Sequence, residues 1–552
     1  MNYLTRKPWW LILDVVLSLL AAGFLTLYAY ALQLIVDIAT GKINLTFAVA
    51  APLLLGYLVL QAVTDGLAKY HRKWFPQQIG RWLRHDLFAK LMRLNFTQTE
   101  AGRDVARLTK QVDVAVESYY EVVLLVSYLV LQLIVAAIGT LLISPMITLG
   151  IVLLGLPALI FPFLLNRRLQ QAKTQVIDTV TRYTAFLTDT FQGLTTIRYA
   201  LAQPLFTARH AKHNSAVTMV TTREQKLQII TSGIADFLSD FMYLGTWILG
   251  AWFVMKGTIN LGQLVAFSQL SALLNWPLLQ LLEALPELAG GRAAITTLTD
   301  FLAQPDQAVR PRQSLALTEP LFIVNHAAVT LDSRQVLADI NLTIGPQEKI
   351  VVVGASGSGK TSLVRLLTGD LALTAGQVLL SGQPVAKLNQ LDVFQRIGMM
   401  SQRSELFTGT VRENVTLFDP KYQDTTVDQA LTRAGLAAWR ASVTLTTKLS
   451  PQSPLVSGGE RQRLALARLL LRDYRFFIFD ELTTGLDPAV AARLEQDLFA
   501  MSAGFLLITH QYDAASFAKA DRIIVLHAGR IQATGDLTDA AVQAGLHQLG
   551  MC

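Results

Sequence analysis

The chain has 552 residues, of which 52% are hydrophobic and 16% charged, with a formal net charge of +7. Soluble domains carry about 25% charged residues, so this composition excludes a disordered chain, a coiled coil and a uniformly soluble enzyme. The one cysteine, Cys552, excludes an internal disulfide and a cysteine-based metal cluster. In so apolar a chain the modest positive charge reflects loop asymmetry rather than nucleic-acid binding.

Six apolar runs lie ahead of residue 290, at about 9–35, 45–63, 119–143, 146–165, 234–255 and 264–285. Each supplies the roughly 20 residues that cross a bilayer as a helix. Helical spans are the cheap solution for such runs, because lipid offers the backbone no hydrogen bonds. Arg6 and Lys7 precede a first run too long for the apolar core of a signal peptide, so no cleavable leader is expected. Segment 65–118 carries ten Lys and Arg and segment 167–233 nine, whereas the short connections carry only Lys42 and Lys256. That asymmetry places both long loops and both termini in the cytoplasm of a multi-pass plasma-membrane protein. Within the first long loop, "RWLRHDLFAKLMRLNF" (81–96) spaces Trp82, Leu83, Leu87, Leu91 and Leu94 by helical steps. The second loop, from 167 to 200, reads the same way. Both spans should therefore continue as helices into the cytoplasm. Asp14 and Asp240 fall inside spans, where an acid is costly and tends to be functional. Tyr28, Tyr30, Gln33, Gln132, Gln269, Asn275 and Trp276 are further polar or aromatic groups for a central cavity, and Pro277 should kink the sixth span.

A segment rich in Pro, Gln and charge, "AQPDQAVRPRQS" (303–314), follows the spans. We divide the chain into a transmembrane domain (1–300), a linker (301–317) and a soluble domain (318–552). In the last, "KIVVVG", "FFIFDE", "FLLITH" and "RIIVLHAGRI" are buried strands between helices, the pattern of a parallel α/β sheet. "GASGSGKT" (354–361) lies between a strand and a helix and fits G-x-x-x-x-G-K-[ST]. Gly354, Gly357 and Gly359 allow the backbone to wrap phosphate closely. Ser356, Ser358 and Ser362 add contacts, Lys360 reaches the β- and γ-phosphates, and Thr361 can ligate Mg²⁺. "FFIFDE" delivers Asp480 and Glu481 at a strand's C-terminal end, where open α/β sheets bind ligands. Asp480 would hold the metal shell and Glu481 polarise an attacking water.

"LVSGGERQRLALARLLL" (455–471), just ahead of "FFIFDELTTGLD", resembles the signature motif of ABC-transporter ATPases. The resemblance covers nearly the whole chain and implies an exporter-type half-transporter: an all-α domain of six transmembrane helices followed by an α/β P-loop NTPase domain of ABC type. It implies ATP and Mg²⁺ as cofactors. Gln402 resembles the Q-loop glutamine, which reaches the metal and the water; His510 resembles the switch histidine and Asp487 the D-loop aspartate. Ser457, Gly458, Gly459 and Glu460 would complete the ATP site of the opposite subunit, so one chain needs a second half-transporter. Segments 109–115 and 201–209 resemble coupling helices at the loop tips.

Three departures from the family pattern stand out. Leu331 occupies the place of the aromatic residue that stacks on adenine, a loss on the order of 1 kcal/mol. "SPQSPL" (450–455) replaces a Gly- and Glu-rich stretch. The signature carries Val456 and Glu460 where Leu and Gln are commoner. Lys360, Gln402, Asp480, Glu481 and His510 are all present, which suits a homodimer or the competent chain of a heterodimer; the departures favour the heterodimer. The function implied is ATP-driven export of a small molecule, lipid or peptide by alternating access as a dimer. An importer of the same fold, for instance for a metal chelate, and a regulatory ATP-binding membrane module are the alternatives.

Overall fold

The computed structural model describes residues 3–93, 101–304, 318–331, 334–401, 404–482, 488–510 and 514–551. It divides into two compact units, the first running essentially to residue 305 and the second comprising the remainder.

In the first unit α1 (Pro8–Ala39) and α2 (Phe47–Leu91) are followed by a continuous helical stretch, α3 (Gly102–Ile143). Next come α4 (Pro145–Gln192), the short α5 (Leu194–Tyr199), α6 (Gln203–Met255) and α7 (Leu261–Ala303). Pro8 and Pro145 sit in the first turns of α1 and α4, where a missing N–H costs nothing. Asn260 caps α7 through a reciprocal box with Gln263. Among the described residues five of these helices are long and apolar enough to cross a membrane, and α4 opens on the shorter apolar segment Pro145–Pro157. All six apolar runs thus fall in helices.

The helices continue past their apolar parts, as the loop periodicity requires. On α2, Phe75, Ile79, Leu83 and Leu87 repeat every fourth residue and are buried against Tyr120 and Leu124 of α3 and Leu298 and Phe301 of α7. Leu94 lies outside the described residues. α4 and α6 pack along each other, while α1, α3 and α7 form the other bundle. Thr109–Ala115 does not form a separate short helix at a loop tip; it lies within α3, where π turns occur at Arg107–Gln111 and Val116–Glu121. Leu201, with φ of 52°, marks the junction between α5 and α6. Pro277 lies inside α7, which runs unbroken from Leu261 to Ala303.

The polar residues of the spans separate. Tyr30 donates to the Gly139 carbonyl at 2.6 Å, a helix-packing contact. Asp14 is 1% exposed and pairs with His71 of α2 at 3.1 Å. Asp240 is exposed on α6 and lines no part of the cavity between α1, α2, α3 and α7; Trp276 does line it.

The second unit is built on two main sheets, beside a two-stranded pairing of Gly409–Thr410 with Lys448–Leu449. β1 (Phe322–Leu331), β2 (Arg334–Ile344), β4 (Ala375–Leu380) and β5 (Gln383–Pro384) make an antiparallel sheet in the order β2–β1–β4–β5. The central sheet contains β3 (Lys349–Val353), β6 (Ile397–Met400), β7 (Phe476–Asp480), β8 (Gly504–Ile508), β9 (Arg522–His527) and β10 (Arg530–Gly535). Its order is β10–β9–β3–β8–β7–β6, parallel except for β10. Alternate residues feed two cores: Val351, Val353, Phe477 and Phe479 enter one, and Ile350, Val352, Phe476 and Ile478 the other. A sheet covered on both faces needs unbroken apolar strands, which is what "KIVVV" and "FFIF" supply.

Candidate functional site

Three parallel strands end side by side at the site. β3 leads into the glycine-rich loop, β7 ends on Asp480 and β8 precedes His510. The loop's conformation requires glycine at particular positions. Gly359 has φ of 103°, and a Cβ there would come within 2.9 Å of Leu337 Cδ2. Gly357 has φ of 78°. Gly354 passes against the Leu526 carbonyl of β9 with no room for a side chain. The helix α8 (Lys360–Leu367) starts directly behind the loop, so its free amides face the space the loop encloses.

Lys360 is 6% exposed and its Nζ donates to the carbonyls of Gly354 and Ala355 at 2.7 and 3.0 Å. Burial holds its ammonium below the usual lysine range, while the charges of Glu481 and Asp480 act the other way. The buried Ser358 Oγ has no hydrogen-bond partner among the described residues. Ser356 is exposed on the loop, and Ser362 is half-buried on α8. The Thr361 hydroxyl donates to Asp480 Oδ2 at 3.4 Å. Burial, and then the neighbouring Glu481, push the Asp480 carboxyl above the ordinary carboxylate range, against the opposing pull of Thr361, Lys360 and His510. A hydroxyl and a buried carboxylate are hard oxygen donors of the kind Mg²⁺ takes alongside phosphate oxygens. Together with the unpartnered Ser358 hydroxyl and the buried ammonium, they fit a magnesium nucleotide.

Glu481 follows Asp480 with φ of 59°, a left-handed conformation that a non-glycine residue adopts at a cost. Two contacts hold it there: its N–H donates to the Ile508 carbonyl at 3.0 Å, and its carbonyl accepts from Gln462 Nε2 at 2.9 Å. This turn aims Glu481 Oε1 at His510 Nε2, 3.0 Å away. Gln462 lies within the signature segment 455–471, but only the structure reveals it as a backbone clamp on Glu481.

The signature helix α9 (Gly458–Leu470) begins with Ser457 as its cap. The Glu460 carboxylate accepts from both the Ser457 N–H and the Ser457 hydroxyl at 2.8 Å, and the Glu460 N–H donates back to Ser457 Oγ at 3.3 Å. Gly458 has open space around its Cα, and Gly459 continues the first turn. Leu331 ends β1 and is 39% exposed, an apolar side chain open to contact. Gln402 and Asp487 lie outside the described residues.

These elements define a P-loop nucleotide-binding domain following a bundle of long apolar helices. The ABC transporter transmembrane region family matches residues 11–278, and the ABC transporter family matches residues 337–484. The Exotoxin translocation ATP-binding protein PaxB of Pasteurella aerogenes is 30% identical over 409 residues, 71% of this chain; the chain spans 56% of PaxB's length. An ATP-dependent lipid A-core flippase of Nitrosococcus oceani is 25% identical over 519 residues, covering 91% of this chain and 86% of the flippase. A solved bacterial Atm1-family ABC exporter with ATP bound has the same fold, with a TM-score of 0.82 at 19% identity, covering 99% of this chain and 98% of that one. The chain belongs to the ABC transporters and has the architecture of an exporter-type half-transporter, an ATPase domain joined to a transmembrane domain.

Proposed function

We propose that this chain is one half of a dimeric exporter that uses ATP hydrolysis to drive alternating access across the plasma membrane. The observation that carries the reading is the meeting of Glu481 and His510, 3.0 Å apart, beside the Thr361–Asp480 pair. Thr361 and Asp480 would hold Mg²⁺, with Gln402 as a further ligand. When bound, the metal neutralises charge on the β- and γ-phosphates. Gly354, Ser356, Gly357, Ser358, Gly359, Lys360 and Ser362 bind the phosphates, and Leu331 makes an apolar contact with the base. Glu481 orients the attacking water and accepts its proton, and His510 fixes the Glu481 carboxylate. Ser457, Gly458, Gly459 and Glu460, with Asp487, complete the site of the opposite subunit. The relatives' names, a toxin translocation protein and a lipid A-core flippase, support export of a small molecule, lipid or peptide. The heterodimer is favoured, because Leu331, Glu460 and the "SPQSPL" segment depart from the family pattern while the hydrolytic residues are present.

The test is the vanadate-sensitive ATPase of the purified full-length protein. Glu481→Gln should lower it by about 10²-fold or more while leaving ATP binding in place. Unchanged turnover in that variant would remove Glu481 from its role. Coexpression with a second half-transporter, followed by mass measurement of the complex, distinguishes heterodimer from homodimer.

A further inference from the structure

Every buried residue of α1 is small or polar, whereas its Leu13, Val16, Leu19, Leu20 and Leu27 are exposed. Five α1 side chains hold a buried oxygen with no hydrogen-bond partner among the described residues: Asp14 Oδ2, Ser18 Oγ, Thr26 Oγ1, Gln33 Oε1 and Asp37 Oδ1. They follow one another at steps of four, eight, seven and four residues, so they share one broad face of the helix. From Asp14 to Asp37 that face rises about 35 Å, enough to cross the ~30 Å hydrocarbon core of a bilayer.

Groups on the neighbouring helices fill its gaps. At one end His71 of α2 meets Asp14 Oδ1 through Nδ1 at 3.1 Å and keeps Nε2 unpartnered. Arg72, the next residue on α2, is turned aside over the Tyr128 ring. Gln132 of α3 is 1% exposed, and both of its amide atoms lack a partner. Ala21 clusters with Leu129 of α3, and a Cβ on Gly139 would come within 2.9 Å of Thr26 Cγ2. Gln132 therefore stands level with the gap between Ser18 and Thr26. Tyr30 spans the next gap, its hydroxyl donating to the Gly139 carbonyl at 2.6 Å. At the far end Gln33 Nε2 donates to Asp37 Oδ2 at 3.3 Å. Gly262 of α7 leaves room for Asp37 Oδ1, since a Cβ there would come within 2.5 Å of it.

Elsewhere in the bundle a buried hydroxyl is satisfied by its own helix. Thr64, Thr140, Thr148 and Thr246 each donate to a carbonyl three or four residues back. Ser18 and Thr26 do not. Their oxygens are buried within the chain itself, so a second subunit laid against its surface does not reach them. Unsatisfied polar groups are costly in hydrocarbon, and buried groups of this kind hold ordered water. Chains of Asp, Glu and His within spans act as proton relays. We propose that this face of α1 is a proton path across the membrane. A proton taken up at His71 Nε2 lets the ring release its Nδ1 proton to the Asp14 carboxylate, and the acid so formed releases a proton to water at Ser18. Waters held by Gln132, Thr26 and Tyr30 each accept one proton and pass one on, until the Asp37 carboxylate takes it up and releases it at the far end. Every group returns to its starting charge, and the electrochemical gradient sets the direction. The path needs only the membrane-spanning bundle and adds a proton to the proposed ATP-driven cycle.

Proton flux is the direct test. Purified full-length protein is reconstituted into liposomes that trap the pH dye pyranine, and a potassium gradient with valinomycin drives protons inward, with and without MgATP. Proton entry in one of those two states should be at least tenfold faster than into protein-free liposomes. Gln132→Leu should bring it to within twofold of the protein-free rate. Its melting temperature should stay unchanged or rise, because leucine replaces a buried amide that has no partner. Thr26→Val and an Asp14→Asn, Asp37→Asn double variant break the path at other points and should slow entry likewise. Wild-type entry equal to that of protein-free liposomes in both states overturns the proposal and requires no variant to fold. Undiminished entry in Gln132→Leu and Thr26→Val also overturns it. ATP hydrolysis is measured on the same vesicles. Hydrolysis without proton entry sinks only the proton path, whereas proton entry without hydrolysis sinks only the ATP-driven reading.

Discussion

Asp480 illustrates how a buried carboxylate costs the resting fold something. It is 6% exposed, and burial raises its carboxyl above the ordinary range. A raised acid binds its proton more tightly folded than unfolded, so its ionisation works against folding once pH rises through the folded value. In metal- and nucleotide-free protein the cost accumulates as pH rises from the unfolded value to the folded one. Asp480→Asn should therefore raise the melting temperature of the apo protein by a few degrees and abolish the further rise that Mg²⁺ and ATP produce. A lower apo melting temperature in that variant would show that the carboxylate is net stabilising. Glu460 poses a related question at the signature, where its carboxylate occupies the Ser457 N–H and hydroxyl. Glu460→Gln keeps an acceptor for both and removes a negative charge from a helix N-terminus that would face phosphate. The KM for ATP should fall two- to fivefold, with apo melting unchanged. Much of the candidate site's geometry was legible in the sequence, because a close backbone wrap needs glycines at fixed offsets and a buried strand places the acids at its C-terminal end. The left-handed backbone of Glu481 and its clamp by Gln462 were not legible, since both come from contacts between segments remote in the chain.

At the level of elements, the close approach of α7 to α3 depends on one of two adjacent glycines in α7. A Cβ on Gly291 would fall on the Ser118 backbone of α3, which cannot move aside as a side chain could. Gly290 has nothing near it outside its own helix. Alanine favours a helix interior by about 0.5–1 kcal/mol over glycine, whereas overpacking costs about 1–3 kcal/mol. Gly290→Ala should thus leave the melting temperature of the detergent-solubilised protein unchanged or slightly raised, and Gly291→Ala should lower it by several degrees. Equal effects of the two would remove the crossing from its role. The sequence pair "GG" does not indicate which glycine meets a neighbour. The helices themselves were legible from apolar runs and from the four-residue spacing on α2. The absence of a separate helix at Thr109–Ala115 was not, because the π turns that carry α3 through this segment contain no Gly or Pro to mark them in the sequence.

At the scale of the whole molecule the charge distribution predicts an orientation in the membrane. Nineteen Lys and Arg lie in segments 65–118 and 167–233, against Lys42 and Lys256 in the short connections. The structure puts Lys42 and Lys256 at helix-to-helix turns, after α1 and after α6, and Lys212 well inside α6 on its long extension. Positive residues near span ends are retained in the cytoplasm, so the two short turns should face outward and the extension inward. The chain's one cysteine simplifies the measurement. In a Cys552→Ser background, Lys42→Cys and Lys256→Cys should react with a membrane-impermeant maleimide in intact cells, and Lys212→Cys only after permeabilisation. Labelling of Lys212→Cys in intact cells would invert the topology. It would also put the ATPase domain, which follows α7 in the chain, on the side without ATP, and an ATP-driven cycle could not run from there.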